Sequence, residues 1–131
     1  MLKTKSVSSP IDHKLDGLRI LVTRFRGRGL ETSRYDVWMA NLGPSEVLLR
    51  EYQSKKISSG QFAQAYRKEL FAGGMVDSRC RTIKNHGQKF TLRLIKELAR
   101  RQDVTLLCHC DEDFKGCHRH ALRKLILSNR V

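Results

Sequence analysis

The sequence predicts a single small α/β domain, in which helices flank a mostly parallel sheet in a Rossmann-like three-layer arrangement. A chain of 131 residues, 40% of them hydrophobic, has the length and apolar content of one domain. Two apolar runs, at residues 20–22 and 104–107, are typical of buried strands. Segments with helical spacing lie between them, and strands that alternate with helices indicate parallel pairing.

The first part of the chain is predicted to contain one strand and one ambiguous element. Residues 1–16 are basic and Ser-rich and show no periodicity, so we expect a flexible arm there and a domain over residues 17–131. The arm lacks the apolar stretch of a secretory signal. The run at residues 20–22 is the first strand, and residues 35–40 predict a short strand or a helical turn.

Two helices are predicted in the middle of the chain. The first begins at residues 43–45, where Pro44 suits a first turn. The second begins at Ser58, which forms a capping box with Gln61 three residues later, and it ends at residues 73–74, which are both glycine. Residues 75–86 show no pattern that favours either a helix or a strand.

The last third of the chain predicts helix, strand and helix. Apolar residues from Phe90 to Leu98 have helical spacing, and Arg100 with Arg101 suits the C-terminus of that helix. Residues 104–107 form the second strand. A final amphipathic helix is predicted over residues 117–128.

This topology predicts a site where the two strands end, because open α/β sheets bind ligands beyond the carboxyl ends of their strands. Arginines follow the first strand at alternate positions, and a Cys-His-Arg triplet opens the last helix. We therefore expect an anion- or phosphate-binding site that contains thiols. Its predicted anion-binding residues are Arg24, Arg26, Arg28, His118 and Arg119.

The thiols of this site are candidate nucleophiles. Cys117 lies in the predicted first turn of the last helix, where the helix dipole and unpaired backbone N–H groups lower a thiol pKa. Cys110 is the alternative nucleophile, and Asp111 or Asp113 is the candidate acid or base. The sequence also allows Cys117 to be an inert packing residue, His118 to be a buried residue that orients the turn, and the acids to be a solvated turn.

A metal site is a further alternative. Cys108, Cys110, Cys117 and His118 offer enough soft ligands for tetrahedral zinc. Their spacing departs from the usual pairs of cysteines with two residues between them, so no cofactor is expected and zinc is the alternative.

The charge balance indicates an anionic partner. There are 26 lysines and arginines against 13 acidic residues, a net charge of +13. An excess of this size favours nucleic acid or a phosphate-containing small molecule, although a soluble basic protein without a dedicated partner is equally compatible with it. The alternatives to a thiol site are a nucleic-acid-binding accessory protein without catalysis and a metal-stabilised structural module. No apolar run reaches the roughly 20 residues of a membrane span, so we expect a cytoplasmic protein without a membrane partner.

Three blocks of the sequence, at residues 19–29, 36–45 and 104–125, resemble the YeaO-like proteins of domain-of-unknown-function family four-eight-eight. The resemblance implies a single small α/β domain and no established biochemical activity. The chain departs from the YeaO branch at Thr23, where an acid is usual, and at residues 26–27, where Trp-Pro is usual. These changes make the first loop more basic and more flexible. The motif positions that carry over are Arg24, Arg28, Gly29, Trp38, Pro44, Ser45, Cys117, His118 and Arg119.

Overall fold

The central feature of the fold is a four-stranded parallel sheet with the order β1-β4-β2-β3. The computed structural model describes residues 1–72 and 88–131. The four strands are β1 (Leu2–Ser6), β2 (Leu18–Leu21), β3 (Val37–Trp38) and β4 (Val104–Cys108). The two apolar runs form the central pair, β2 and β4, which confirms the predicted parallel α/β domain.

The N-terminal residues differ from the predicted flexible arm. Residues 2–6 pair with β4 over its whole length, from Leu2 opposite Val104 to Ser6 opposite Cys108. Leu2 and Ser6 are buried, whereas the three residues between them are half-buried. An edge strand of this kind needs few apolar residues, because only part of it meets the core. Its weak hydrophobic signal is the reason that the sequence did not reveal it.

Five helices accompany the sheet in the described residues: α1 (His13–Asp16), α2 (Glu46–Gln53), α3 (Ser59–Leu70), α4 (Gln88–Arg101) and α5 (His118–Ile126). Short 3₁₀ turns lie at Thr32–Arg34 and Ala40–Leu42. None of these helices, within residues 1–72 and 88–131, has the length and apolar character of a membrane span. The predicted glycine stop at residues 73–74 and the segment 75–86 lie outside the described residues.

Local capping explains where α2 and α3 begin. The Ser45 hydroxyl accepts a hydrogen bond from the Leu48 N–H at 3.2 Å, which satisfies one of the unpaired donors at the start of α2. At α3, Ser58 and Gln61 form both hydrogen bonds of the predicted capping box. Such a cap stabilises a helix by about 1 kcal/mol.

The sheet separates two apolar layers of unequal size. The larger core places side chains from α2 to α5 against one face of the sheet, which contributes Leu2, Ile20 and Leu106. On the other face, Leu21 and Leu107 belong to a smaller cluster formed with loop residues. The helical layer, the sheet and this thinner layer make the three-layer arrangement.

Side chains along β4 alternate between the two faces of the sheet, and this alternation determines which face Cys108 occupies. Val104 and Leu106 face the larger core, so Cys108, two residues further, lies on the same side of the sheet. Helix α5 packs on β1 and β4 from that side. Cys108 at the end of β4 therefore lies close to the beginning of α5, where Cys117 is the N-cap residue.

Candidate functional site

Three thiols form one cluster at the carboxyl end of β4. The sulfur atoms of Cys108, Cys110 and Cys117 all lie within 4.8 Å of one another. Cys108 and Cys117 are buried and their sulfurs are 2.8 Å apart, whereas Cys110 is half-buried. The fourth cysteine, Cys80, lies outside the described residues. The end of β4 and the segment after it thus bring three cysteines together in space.

Arg119 places a guanidinium group directly on this cluster. Its side chain has no solvent exposure, and Nη1 lies 2.7 Å from the Cys108 sulfur. The same guanidinium donates hydrogen bonds to the backbone carbonyls of Cys110 at 3.3 Å and of Asp111 and Glu112 at 3.0 Å each. Arg119 therefore supplies a fixed positive charge and also holds the turn that carries Cys110.

The contacts within the cluster favour a thiolate at Cys110 and a protonated thiol at Cys117. Hydrogen bonds from the Cys108 and Cys117 side chains lower the pKa of Cys110 to about 3, although burial opposes this, and the Arg119 charge adds to the effect. The same two contacts, with Cys108 and Cys110, and then burial raise the pKa of Cys117, so its thiol keeps the proton. Of the two predicted nucleophiles, the geometry favours Cys110.

His118 is a buried neutral imidazole with one assigned tautomer. Its Nε2 lies 2.6 Å from the Val22 carbonyl oxygen, which can only accept a hydrogen bond, so Nε2 carries the hydrogen. Its Nδ1 is then an acceptor and lies 3.7 Å from the Cys117 sulfur. Burial lowers the pKa of His118, which keeps the ring uncharged at neutral pH.

Replacement of His118 by glutamine is expected to reduce the loss of stability on mild acidification. The pKa of His118 in the folded protein lies below its unfolded value of 6.5, so the folded state binds fewer protons. The stability that the neutral ring contributes is therefore complete above about pH 6.5 and is lost as the pH falls toward the folded pKa. Glutamine keeps a donor for the Val22 carbonyl but does not titrate.

Urea unfolding at a series of pH values between about 7 and 5 measures this effect. The matched control is His13→Gln at an exposed position of α1. Its free energy of unfolding should change with pH in the same way as that of the unchanged protein. A His118→Gln profile as steep as that of the control would contradict the assignment of a buried neutral ring.

Cys110 lies between two cavities. The larger, of about 360 Å³, has apolar walls formed mainly by Leu49, Tyr52, Phe62 and Phe114, with the cysteines and His118 at one end. The smaller, of about 150 Å³, shares Leu49, Gln53, Cys110 and His118 with it. Cys110 lines both of these cavities, whereas Cys117 lines the larger of the two and Cys108 the smaller, so Cys110 is the thiol that both cavities share.

Aromatic side chains from α2 and α3 shape the larger cavity. The rings of Tyr52 and Phe62 stack with their centres 4.2 Å apart, and Phe114 lies 6.4 Å from Tyr52. The Tyr52 hydroxyl donates to the Gly116 carbonyl at 3.0 Å, which ties α2 to the turn before α5. Tyr52 and Phe62 lie on the apolar sides of α2 and α3, and their spacing in the sequence does not show that they line a cavity with the thiols.

The predicted arginines divide into two groups. Arg24 is buried, donates to the carbonyls of Pro44 at 3.2 Å and Gly43 at 3.1 Å, and lines the smaller cavity. Arg26 donates to the Leu30 carbonyl and lies outside both cavities, as does the exposed Arg28. The structure thus brings Arg24 and Arg119 to the cysteines and leaves Arg26 and Arg28 in the loop.

The acidic turn is held by a residue that was not singled out from the sequence. Glu112 accepts hydrogen bonds from the Ser6 N–H and from the Ser9 hydroxyl, which ties the turn to the end of β1. Asp111 and Asp113 are exposed and line neither cavity. The predicted roles of Asp111 and Asp113 in proton transfer stay predictions.

The chain matches the model of a known protein family. A family model described as DUF488-N3a, Active DUF488-N3 subclade, matches residues 2–130. The match begins in β1 and continues past α5, so it covers the whole sheet and the cysteine cluster. No curated protein and no solved structure matches the chain.

Proposed function

This chain belongs to the DUF488 family, as its resemblance to the YeaO-like members implied, and we propose that it is a thiol-dependent enzyme with Cys110 as its nucleophile. The observation that carries the proposal is the position of Cys110, at the junction of two cavities and in contact with two further thiols. The family description calls the subclade active without naming a reaction, which is compatible with an enzyme.

Arg119 supports a nucleophilic thiolate rather than an inert thiol. A thiolate needs a nearby positive charge or hydrogen-bond donors to exist at neutral pH, and the thiolate rather than the thiol attacks carbon. The Arg119 guanidinium supplies the charge, while the buried thiols of Cys108 and Cys117 supply weak donors. Cys117 and His118 then act as positioning residues behind Cys110.

The cavities indicate the class of substrate. A volume of about 360 Å³ suits a small molecule, and the stacked Tyr52 and Phe62 rings form an apolar wall for it. Lys55 lines the larger cavity and Arg24 the smaller one. We therefore infer a substrate with an apolar body, an electrophilic carbon and an anionic group such as a phosphate or a carboxylate.

The reaction step is nucleophilic substitution at that carbon. A lone pair of the Cys110 sulfur forms a sulfur–carbon bond, and the bond between the carbon and its leaving group breaks. The leaving group departs with the bonding electron pair and takes a proton from water at the mouth of the cavity. The product of this step is a covalent thioether or thioester on Cys110, according to the oxidation state of the carbon.

Alkylation of the native protein by iodoacetamide tests the proposal. We expect the rate at Cys110 to change by less than about threefold between pH 6 and pH 9, because the sulfur is ionised throughout that range. An ordinary thiol with a pKa of about 8.5 would react roughly tenfold faster for each pH unit up to that value. Peptide mapping by mass spectrometry locates the modified cysteine.

The control variant is Cys110→Ser, in which the pH-independent modification should disappear. A Cys110 that reacts with the pH dependence of an ordinary thiol, or that stays unmodified in the folded protein, would contradict the assignment.

A zinc site is the second candidate function, and the three clustered sulfurs favour it directly. His118 adds to this, since a zinc-bound histidine usually donates its other ring N–H to a carbonyl, as Nε2 does to Val22 here. One distance argues against a zinc site. Two thiolates on one zinc lie roughly 3.8 Å apart, given Zn–S bonds of about 2.3 Å, so Cys108 and Cys117, now 2.8 Å apart, would have to separate.

Elemental analysis of the sample used for alkylation decides between the thiol enzyme and the zinc site. Stoichiometric zinc that survives dialysis supports the metal site, and a folded, metal-free protein excludes it.

A further inference from the structure

Three adjoining concavities form a groove along α3, α5 and the C-terminal residues, and its last part borders the larger cavity of the proposed reaction. Their volumes are about 450, 280 and 360 Å³. Arg67 lines all three, Arg130 lines the first two, and Lys124 lines the last two. These shared residues show that the concavities are neighbours, and we call them together the α3/α5 groove.

The described lining of the α3/α5 groove carries positive charge. Within residues 1–72 and 88–131, no acidic side chain lines any of its three parts and none of the groove cations makes an ion pair. Cations crowded into a concave surface produce a stronger positive potential than the same charges on a convex one. The groove cations are Arg67, Lys68, Lys115, Lys124 and Arg130.

We propose that the α3/α5 groove binds single-stranded nucleic acid through its phosphate backbone. A row of cations along a narrow channel matches a strand of evenly spaced phosphates, whereas a membrane surface would require an exposed face with apolar side chains. Phe71 supports the choice of nucleic acid, because it lines the groove with the Arg130 guanidinium 5.9 Å above its ring. An aromatic ring beside an arginine is the kind of surface on which bases stack.

The groove also reaches the cysteine cluster. Phe62 and Cys117 line both its last part and the larger cavity beside Cys110. A strand bound in the groove would therefore run toward the thiols. The proposal does not depend on that chemistry, because none of its contacts requires a reactive Cys110.

Fluorescence anisotropy with a fluorescein-labelled oligothymidylate and the full chain tests the groove. We expect binding at low salt, with a slope of about −0.7 in log affinity against log salt for each phosphate contacted by a single strand. Three to five groove cations then give a total slope of roughly −2 to −3.5. The double variant Arg67→Glu/Lys124→Glu should bind at least about tenfold more weakly at the same salt, because it loses two contacts and adds repulsion.

The matched control is Lys89→Glu/Arg93→Glu, which makes the same change in net charge at exposed positions of α4. It should alter the affinity by less than about threefold, and thermal melting checks that both variants are folded. The groove assignment is overturned if the unchanged protein does not bind the oligonucleotide at low salt, or if the two double variants lose affinity equally. Binding to phosphatidylserine vesicles without binding to the oligonucleotide would overturn it in favour of a membrane. The groove variant should still show the pH-independent alkylation of Cys110, so the two proposals can fail separately.

Discussion

Replacement of Arg119 by methionine is expected to lower the free energy of unfolding by about 3–5 kcal/mol, the usual effect of removing one partner from a buried charged network. Arg119 is completely buried and its guanidinium contacts one sulfur and three backbone carbonyls. Methionine fills similar space but leaves these carbonyls without their donor and the thiolate without its charge. Chemical unfolding measures the loss.

The same variant is expected to change the reactivity of Cys110 in a way that a purely structural role would not. Without the guanidinium, the pKa of Cys110 should rise, so its alkylation should begin to slow at a higher pH than in the unchanged protein when the pH is lowered. In the Arg119→Lys variant, the pKa of Cys110 should lie between its values in the unchanged protein and in Arg119→Met. A lysine keeps the positive charge but cannot contact four acceptors in one plane.

Lys124→Met is the control, since it removes one positive charge from the exposed face of the same helix. It should leave both the stability and the alkylation profile close to those of the unchanged protein. An Arg119→Met protein that is as stable as this control, with a flat alkylation profile, would contradict the role given to Arg119.

Local signals in the sequence predicted the helix starts and the central strands. The capping box at Ser58 and the cap at Ser45 depend on residues three positions apart, so the sequence contains all the information that they need. Strand β1 escaped prediction because its partner, β4, follows it by about a hundred residues in the chain and its own apolar signal is weak. Long-range pairing of this kind leaves little trace in local periodicity.

The candidate site was predictable where its residues are close in sequence. Cys108 ends β4, Cys110 lies in the connection that follows and Cys117 caps α5, so this short connection brings the three together. The prediction that Arg24 and Arg26 belong to one site rested on their alternate positions after the first strand, whereas β2 ends at Leu21. Beyond β2 the chain turns at Gly27, which has a φ of +91° and where a Cβ would lie 2.7 Å from the His109 ring. The two arginines diverge, because Arg24 donates to the Gly43 carbonyl and Arg26 to the Leu30 carbonyl.

The Asp16 carboxylate links side chains of β1 and β2, which lie on either side of β4 in the sheet. Asp16, at the end of α1, is buried and its carboxylate accepts hydrogen bonds from Arg19 on β2 and from Lys5 on β1, the latter at 3.0 Å. Arg19 is also buried and donates from Nε to the Arg34 carbonyl at 3.1 Å. One carboxylate thus forms ion pairs with two cations that belong to different strands.

Replacement of Asp16 by asparagine is therefore expected to lower the free energy of unfolding by about 3–5 kcal/mol. Asparagine keeps the shape but removes the negative charge, which leaves the Arg19 guanidinium buried beside Lys5 without compensation. The pKa of Asp16 is lowered in the folded protein: burial raises it, but the Asp12 N–H and Lys5 together lower it more. The stability that the carboxylate contributes is thus present above about pH 3.8 and is lost as the pH falls through the lower folded value.

Urea unfolding at neutral pH and below about pH 4 measures both effects, with Asp113→Asn at an exposed position as the control. In a double-mutant cycle, Arg19→Met should recover much of the loss caused by Asp16→Asn, because it removes the uncompensated charge. If Asp16→Asn were no more destabilising than Asp113→Asn, the Asp16 carboxylate could not be a stabilising link between Lys5 on β1 and Arg19 on β2. Strand β1 ends at Ser6, whose N–H donates to the Glu112 carboxylate, and Arg119 donates to the backbone carbonyl of Glu112. Loss of the Asp16 contacts should therefore also loosen the turn that carries Cys110. The alkylation of Cys110 at low pH should then become slower.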